Sequence, residues 1–324
     1  MSPFPAIASA TLALVFSAGC GNVVVEGTGN TDASACPGGG HAGATDPVCA
    51  NLAVLGKDTR LIEWIEDEWP QFGITPEGSE LAMAWTHLSF AGDDNTDLYF
   101  TRLGVTGEPV GSKVPIEVQS WMSHGPAVVS MNSDFAVVWS DWRHGDPDSE
   151  LYYQRVSGDA PVGPEVRLTD AKLGDEKPAL DAAAYPGMFS LAFEGDRYGI
   201  AWEDFRLSDN SEIYFALLSS DGEKIGEDVR VTTAPENSFN PSVAFAAGAF
   251  RIVWEDLRDG NLEIYSAGVS ANGVKLGEDL RVTNAPGYTS DPVVGRTGDQ
   301  LVILWEDGRD DPGHGIYSAA LACP

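Results

Sequence analysis

The chain has 324 residues, 43% of them hydrophobic and 10% aromatic, which is enough to bury a domain-sized core and too much for a disordered tail. Its 49 Asp and Glu against 19 Lys and Arg give a formal charge of -30 and a pI near 4.2. A field of that sign repels phosphate backbones and anionic head groups, so nucleic acid is set aside as a partner; cations, cationic ligands and neutral sugars remain, and solubility is its plainest effect.

The first element is a targeting segment. Ala6 to Ala18 is an apolar stretch too short to span a bilayer comfortably, and it runs into Ser17-Ala18-Gly19-Cys20. Small residues followed by cysteine resemble a bacterial lipobox, which implies a signal peptide over 1–19, cleavage before Cys20 and acylation of that residue. The protein is then expected in the cell envelope, held at a membrane through the lipid alone. An ordinary secretory signal is the other reading, and either one exports the chain. Gly21 to Val48 is rich in Gly, Ala, Thr and Asp and reads as a flexible tether over 20–48, leaving 49–324 for the folded domain.

The body is a repeat. Tryptophans 85, 139, 202, 254 and 305 recur as AMAWTH, VVWSDWR, IAWEDFR, IVWEDLR and ILWEDGR, spaced by 54, 63, 52 and 51 residues. Each is followed by Asp/Glu/Gly-Leu/Ile-Tyr, a turn and a short strand such as Asp279 to Thr283, and a Pro precedes the next unit at 126, 178, 241 and 292. In the unit Pro241 to Thr283, turn signals separate apolar runs at Ser242 to Ala246, Phe250 to Glu255, Glu263 to Val269 and Asp279 to Thr283. Four short antiparallel strands at a period near 50 predict propeller blades; a sandwich would not repeat so regularly. The extra residues of the 63-residue interval are assigned to a longer hairpin containing Tyr185-Pro186-Gly187.

The last unit stops after its third strand, Gly315 to Cys323, while Gly56 to Ile62 aligns with Gly277 to Thr283. The expectation is an all-β, five-bladed propeller whose ring closes when Thr59 to Glu63 pairs near Tyr317. That alignment sets Cys49 and Cys323 on either side of the seam, where export permits a disulfide; Cys36 with Cys49 is the rival pair.

The repeat resembles the W-E-D-x-R propeller repeats of bacterial secreted and surface proteins and, more loosely, the sialidase-like and five-bladed lectin propellers. The sialidase Asp-box has only a partial match at Ser219-Ser220-Asp221-Gly222-Glu223, without the closing aromatic.

The motif pairs Asp141/Arg143, Asp204/Arg206, Asp256/Arg258 and Asp307/Arg309 are near-copies, whereas catalysis wants unlike groups, so they read as blade-to-blade fastening. Alternating oxygen side chains follow at Asp93, Asn95 and Asp97, at Asp146, Asp148 and Glu150, at Ser208, Asn210 and Glu212, and at Asp259, Asn261 and Glu263. Calcium takes such ligands and is the one metal the pattern suggests, although tight turns favour the same residues. His pairs at zinc spacing are absent.

Departures from the repeat concentrate in its first two units. His87 and His144 are expected in loops between second and third strands, and Trp69, Trp121 and His124 in loops leading into first strands; Trp142 interrupts its motif. These loop classes share one propeller face, where indole and imidazole can stack on sugars or form a protein contact; packing between blades is the alternative for the Trp. The sequence therefore favours a monomeric binding module for a glycan or surface protein, ahead of a glycoside hydrolase or lyase using Glu66, Asp67 or Asp141, and ahead of a purely structural surface protein.

Overall fold

Turn-forming residues cut each repeat into runs of six to ten residues, too short for stable helices and dense in β-branched and aromatic side chains. In the computed structural model these runs form sheets of antiparallel strands in simple meander order. Residues 72–77, 80–89, 95–104, 107–120, 123–141, 143, 150–169, 188–206, 210–297, 300–309 and 315–321 are described.

The first sheet contains β1 (Phe72–Glu77), β2 (Glu80–Ser89), β3 (Asn95–Leu103) and β4 (Val114–Ser120); the second, β5 (Ser123–Met131), β6 (Asp134–Asp141), β7 (Glu150–Ser157) and β8 (Ala160–Arg167). The third contains β9 (Phe189–Glu194), β10 (Arg197–Asp204), β11 (Glu212–Ser219) and β12 (Lys224–Arg230), and the fourth β13 (Ser238–Ala246), β14 (Ala249–Asp256), β15 (Glu263–Ser270) and β16 (Lys275–Arg281). The fifth has three described strands, β17 (Thr289–Thr297), β18 (Gln300–Asp307) and β19 (Gly315–Leu321). Residues 59–63, expected to complete it, lie outside the described residues, as do Cys20, Cys36, Cys49 and Cys323 and the long hairpin around residue 186.

First strands pack against first strands: β1 on β5, β5 on β9, β9 on β13 and β13 on β17. The protein is thus a β-propeller with first strands innermost. Hydroxyls staple these strands together, because Ser190 Oγ accepts the Val243 N–H at 3.1 Å and Ser242 Oγ accepts that of Val294 at 3.0 Å. Both faces of β11 and β15 are buried along nearly their whole length, while β12 and β16 are largely solvent-facing. Alternation therefore fades in the middle of each blade, as it must where a sheet is covered on both sides.

The core lies between blades. Tyr153 and Met131 of the second sheet cluster with Tyr198 and Ile200 of the third, and Ile213 and Phe215 of the third with Phe250 and Ile252 of the fourth. At that second contact a Cβ on Gly199 would lie 2.5 Å from Phe250 Cδ1 and 2.7 Å from Phe215 Cε2. Both rings are fully buried. Gly199→Ala is therefore expected to lower stability by about 1–3 kcal/mol through overpacking, read by denaturant titration; an unchanged midpoint would contradict this packing.

Three sequence expectations shift. Pro126, Pro241 and Pro292 do not precede the first strands but sit inside β5, β13 and β17, each at a register shift. The preceding residues, Gly125, Asn240 and Asp291, have φ of 54°, 52° and 52°. A bulge interrupts the ladder, so proline's missing N–H costs little there. His87 lies within β2, paired with Asp97, and His124 within β5, paired with Ser140, so both are strand residues and not loop residues. The cause is the same in each case: the ladder continues beyond the point where turn-type residues begin.

Candidate functional site

The repeated Asp and Arg are fasteners, but they act mainly within a blade. In the fourth sheet Asp256 is fully buried and accepts from Trp254 Nε1 at 2.8 Å, Ser238 Oγ at 3.0 Å, the Arg258 N–H at 2.9 Å and the Arg258 guanidinium at 2.6 Å. Arg258 also reaches Asp279 on β16 at 2.9 Å and lies 4.3 Å from the centre of the Tyr265 ring, which stacks on Trp254. The arrangement recurs with Arg143 and Glu165, and with Arg206 and Asp228; Arg143 also reaches another blade, at Glu117, 3.5 Å away. Arginine suits this place because a planar fork can bind two carboxylates while its face covers an aromatic ring.

Blade-to-blade fastening comes instead from the turns after third strands. Arg102 binds Asp159 at 3.2 Å and Arg155 binds Asp221 at 2.8 Å, while the Tyr153 hydroxyl donates to Ser220 O at 2.7 Å. The partial Asp-box turn is thus an inter-blade contact. In the first sheet His87 and Ser89 stand where Asp and Arg stand elsewhere, and Lys113 supplies the cation, 3.3 Å from the Tyr99 ring centre.

Among the described residues, the oxygen side chains considered for calcium have partners inside the blade. Glu263 accepts from Arg281 at 2.8 Å and from the Thr283 hydroxyl at 2.6 Å, and Glu150 is held the same way by Arg167 and Thr169. Asp259 takes the Tyr265 hydroxyl at 2.5 Å and Arg281 at 3.2 Å; Asn261 donates to Glu263 and to two backbone carbonyls; Asp97 accepts from Tyr99 at 2.9 Å. No group of three metal-type side chains gathers among the described residues. Asp93, Asp146, Asp148 and Ser208, with Glu66, Asp67, Trp69, Trp121, Trp142 and His144, lie outside the described residues. Asn95, His87 and His124 are placed only by their strands.

A different set converges. Glu203, Glu255 and Glu306 follow the motif Trp near the ends of β10, β14 and β18, and Glu255 meets the next innermost strand, β17. Glu255 is buried and its Oε1 accepts the Asp291 N–H and Asn240 Nδ2, each at 2.7 Å; the same amide nitrogen reaches Asp291 Oδ1 at 3.1 Å. Burial pushes the Glu255 carboxyl up to about 7, with Asp291 and Glu306 as like-charged neighbours. Burial likewise raises Glu203 to about 7, against the help of a Ser211 hydrogen bond and with Glu255 nearby. An arc of carboxyl groups thus runs across three blades at the end of the axis carrying the second-to-third-strand loops. The first two blades have buried hydroxyls, Thr86 and Ser140, at the same register position. Among the described residues at this repeat position, three blades carry an acid and two a neutral hydroxyl.

The sequence did not single out these glutamates, because they sit inside the W-E-D-x-R motif beside the charge pairs and carry no motif of their own. The signal was Thr, Ser, Glu, Glu, Glu at one repeat position, together with Gly, Asn, Asp before the prolines.

No family model matches the chain, and no curated protein matches it in sequence. Solved structures share its general path. They include "GH43 Endo-Arabinanase from Bacillus licheniformis", 13% identical over 78% of this chain and 93% of that one with a TM-score of 0.40. The "Catalytic domain of Coprinopsis cinerea GH62 alpha-L-arabinofuranosidase" is 10% identical over 77% and 89%, with a TM-score of 0.41. An α-L-arabinofuranosidase of Fusarium graminearum in complex with an iminosugar inhibitor is 14% identical over 78% and 76%, with a TM-score of 0.46. These likenesses transfer neither residue roles nor an activity to this chain.

Proposed function

We propose that the protein is an envelope-held saccharide-binding propeller that takes its ligand at the loop-face end of the axis, with Cys20 as its lipid attachment. The observation that supports this reading is the arc of Glu203, Glu255, Asp291 and Glu306, with the hydroxyls Thr86 and Ser140 at the same repeat position among the described residues of the first two blades. Carboxylates accept hydrogen bonds from neutral sugar hydroxyls and attract sugar amines, while like charge disfavours uronic or sialic acids. Strands hold such groups more rigidly than loops do.

The test is a binding screen with neutral, amine-bearing and anionic oligosaccharides. Neutral or amine-bearing sugars are expected to bind. Asp291→Asn is expected to weaken that binding at least tenfold, about 1.4 kcal/mol, with an unchanged melting temperature. The substitution suits the backbone there, since Asn240 already occupies the equivalent position with a positive φ. Binding of anionic sugars alone, or of none, would remove the proposal's basis.

A second reading, glycoside hydrolysis, is favoured by one observation: two of the carboxyl groups are held near neutral pH beside other carboxylates, as a general acid requires. Release of reducing ends that disappears in Glu203→Gln would select it over binding alone.

A further inference from the structure

We propose that the seam between the first and second blades is a pH-sensitive latch, closed while Glu117 on β4 and Glu165 on β8 share a proton and loosened once both are ionised. The two outer strands meet here, and Arg143 binds Glu165 at 2.6 Å and Asp141 at 2.8 Å while lying 3.5 Å from Glu117. Three carboxyl groups therefore gather round one guanidinium. The third and fourth blades balance the same position differently. Arg206 and Lys224 serve Asp204 and Asp228, and Arg258 and Lys275 serve Asp256 and Asp279, two cations for two acids each time. In the second blade Pro161 stands four residues before Glu165, where those lysines stand before their aspartates, so among the described residues Arg143 is the one cation that reaches the group.

Strand register explains why Glu117 is there. In the second, third and fourth blades the residue two beyond the partner of the motif Tyr is Thr169, Thr232 or Thr283, which binds the first acid of the third strand within its own blade. In the first blade the partner of Tyr99 is Pro115, and the residue two beyond it is Glu117, which reaches across the seam instead. Asp97 on β3 is turned to the Tyr99 hydroxyl and Lys113 to the Tyr99 ring, so the charges facing Glu117 are Arg143, Glu165 and Asp141. With all three carboxyl groups ionised, one guanidinium leaves two negative charges in excess in a half-buried contact; a proton between the glutamates removes one. Burial pushes Glu117 up to about 7, against the pull of Arg143 and with Glu165 adding to the rise. The contribution to closure is thus complete below the ordinary value of 4.5 and lost as pH rises through about 7. Phe100 packs on Phe135 across the same seam, 5.2 Å between ring centres, and does not titrate, so the loosening is confined to the outer strands.

Hydrogen exchange of the full chain, followed by mass spectrometry and corrected for intrinsic rates, tests this. Peptides from β4 and β8 are expected to exchange about fivefold faster at pH 8 than at pH 6, within the limit of about tenfold that one group titrating near 7 allows, while peptides from β16 change by less than about twofold. Glu117→Gln, which keeps a hydrogen bond to Glu165 without the charge, is expected to abolish the rise. Pro161→Lys, which supplies the cation that the third and fourth blades have, is expected to reduce it. No rise in the parent protein, an equal rise in β16, or an undiminished rise in either variant would overturn the proposal.

Discussion

Asp256→Ala is expected to destabilise the fold by about 3–5 kcal/mol, among the largest effects any single substitution should have here. One buried carboxylate satisfies Trp254 Nε1, the Ser238 hydroxyl, a backbone N–H and the Arg258 guanidinium, so its removal strands several donors at once. Arg258 would still hold Asp279 and cover Tyr265, which should keep the loss short of unfolding. Asp256→Asn, which keeps the shape and one acceptor, should cost less. Denaturant unfolding of the two variants checks both values. A loss below about 1 kcal/mol for Asp256→Ala would mean that the motif is a surface ion pair and not the centre of its blade.

Folding stability is expected to peak near pH 4–5 and to fall as the pH rises through about 7. Glu203 and Glu255 are raised to about 7 in the fold, above the ordinary 4.5, so the native state holds protons that the unfolded chain has already released. The stability they contribute is complete below about 4.5 and lost as pH rises through their folded values. Each group accounts for at most about 3 kcal/mol, less for the partly exposed Glu203. Asp307 works in the other direction: the Arg309 hydrogen bond holds it down to about 2, so its contribution is present above about 4 and lost as pH falls through 2. Thermal melts from pH 3 to 9 should show the decline, and Glu203→Gln with Glu255→Gln should flatten its upper limb and exceed the parent protein at pH 8. A parent protein as stable at pH 8 as at pH 5 would show that both carboxyl groups reach solvent.

The blades were legible because their causes are local. Turn residues at fixed offsets define strand lengths, and a tryptophan recurring about every 51 to 63 residues marks stacked units. That the Asp and Arg of the motif are structural was also legible, since near-copies around a pseudo-symmetric ring make a poor catalyst. Which contact they make was not: within-blade pairing with Asp279 or Glu165 depends on strand register, and the inter-blade role passed to Arg102 and Arg155 in turn contacts that no motif announces.

The sequence by itself determined the all-β class, the four-strand blade and the acidic character, because hydrophobic spacing, turn chemistry and net charge act over a few residues or sum over all of them. Only the tertiary structure decided that the prolines lie in bulges of the innermost strands, that the described calcium-type side chains, such as Glu150, Asp259 and Glu263, already have partners, and that Glu203, Glu255, Asp291 and Glu306 form one arc. These four residues are spread over 104 positions of sequence and come from three blades. Their proximity arises from the packing of one first strand on the next, and the raised carboxyl groups arise from the burial which that packing creates.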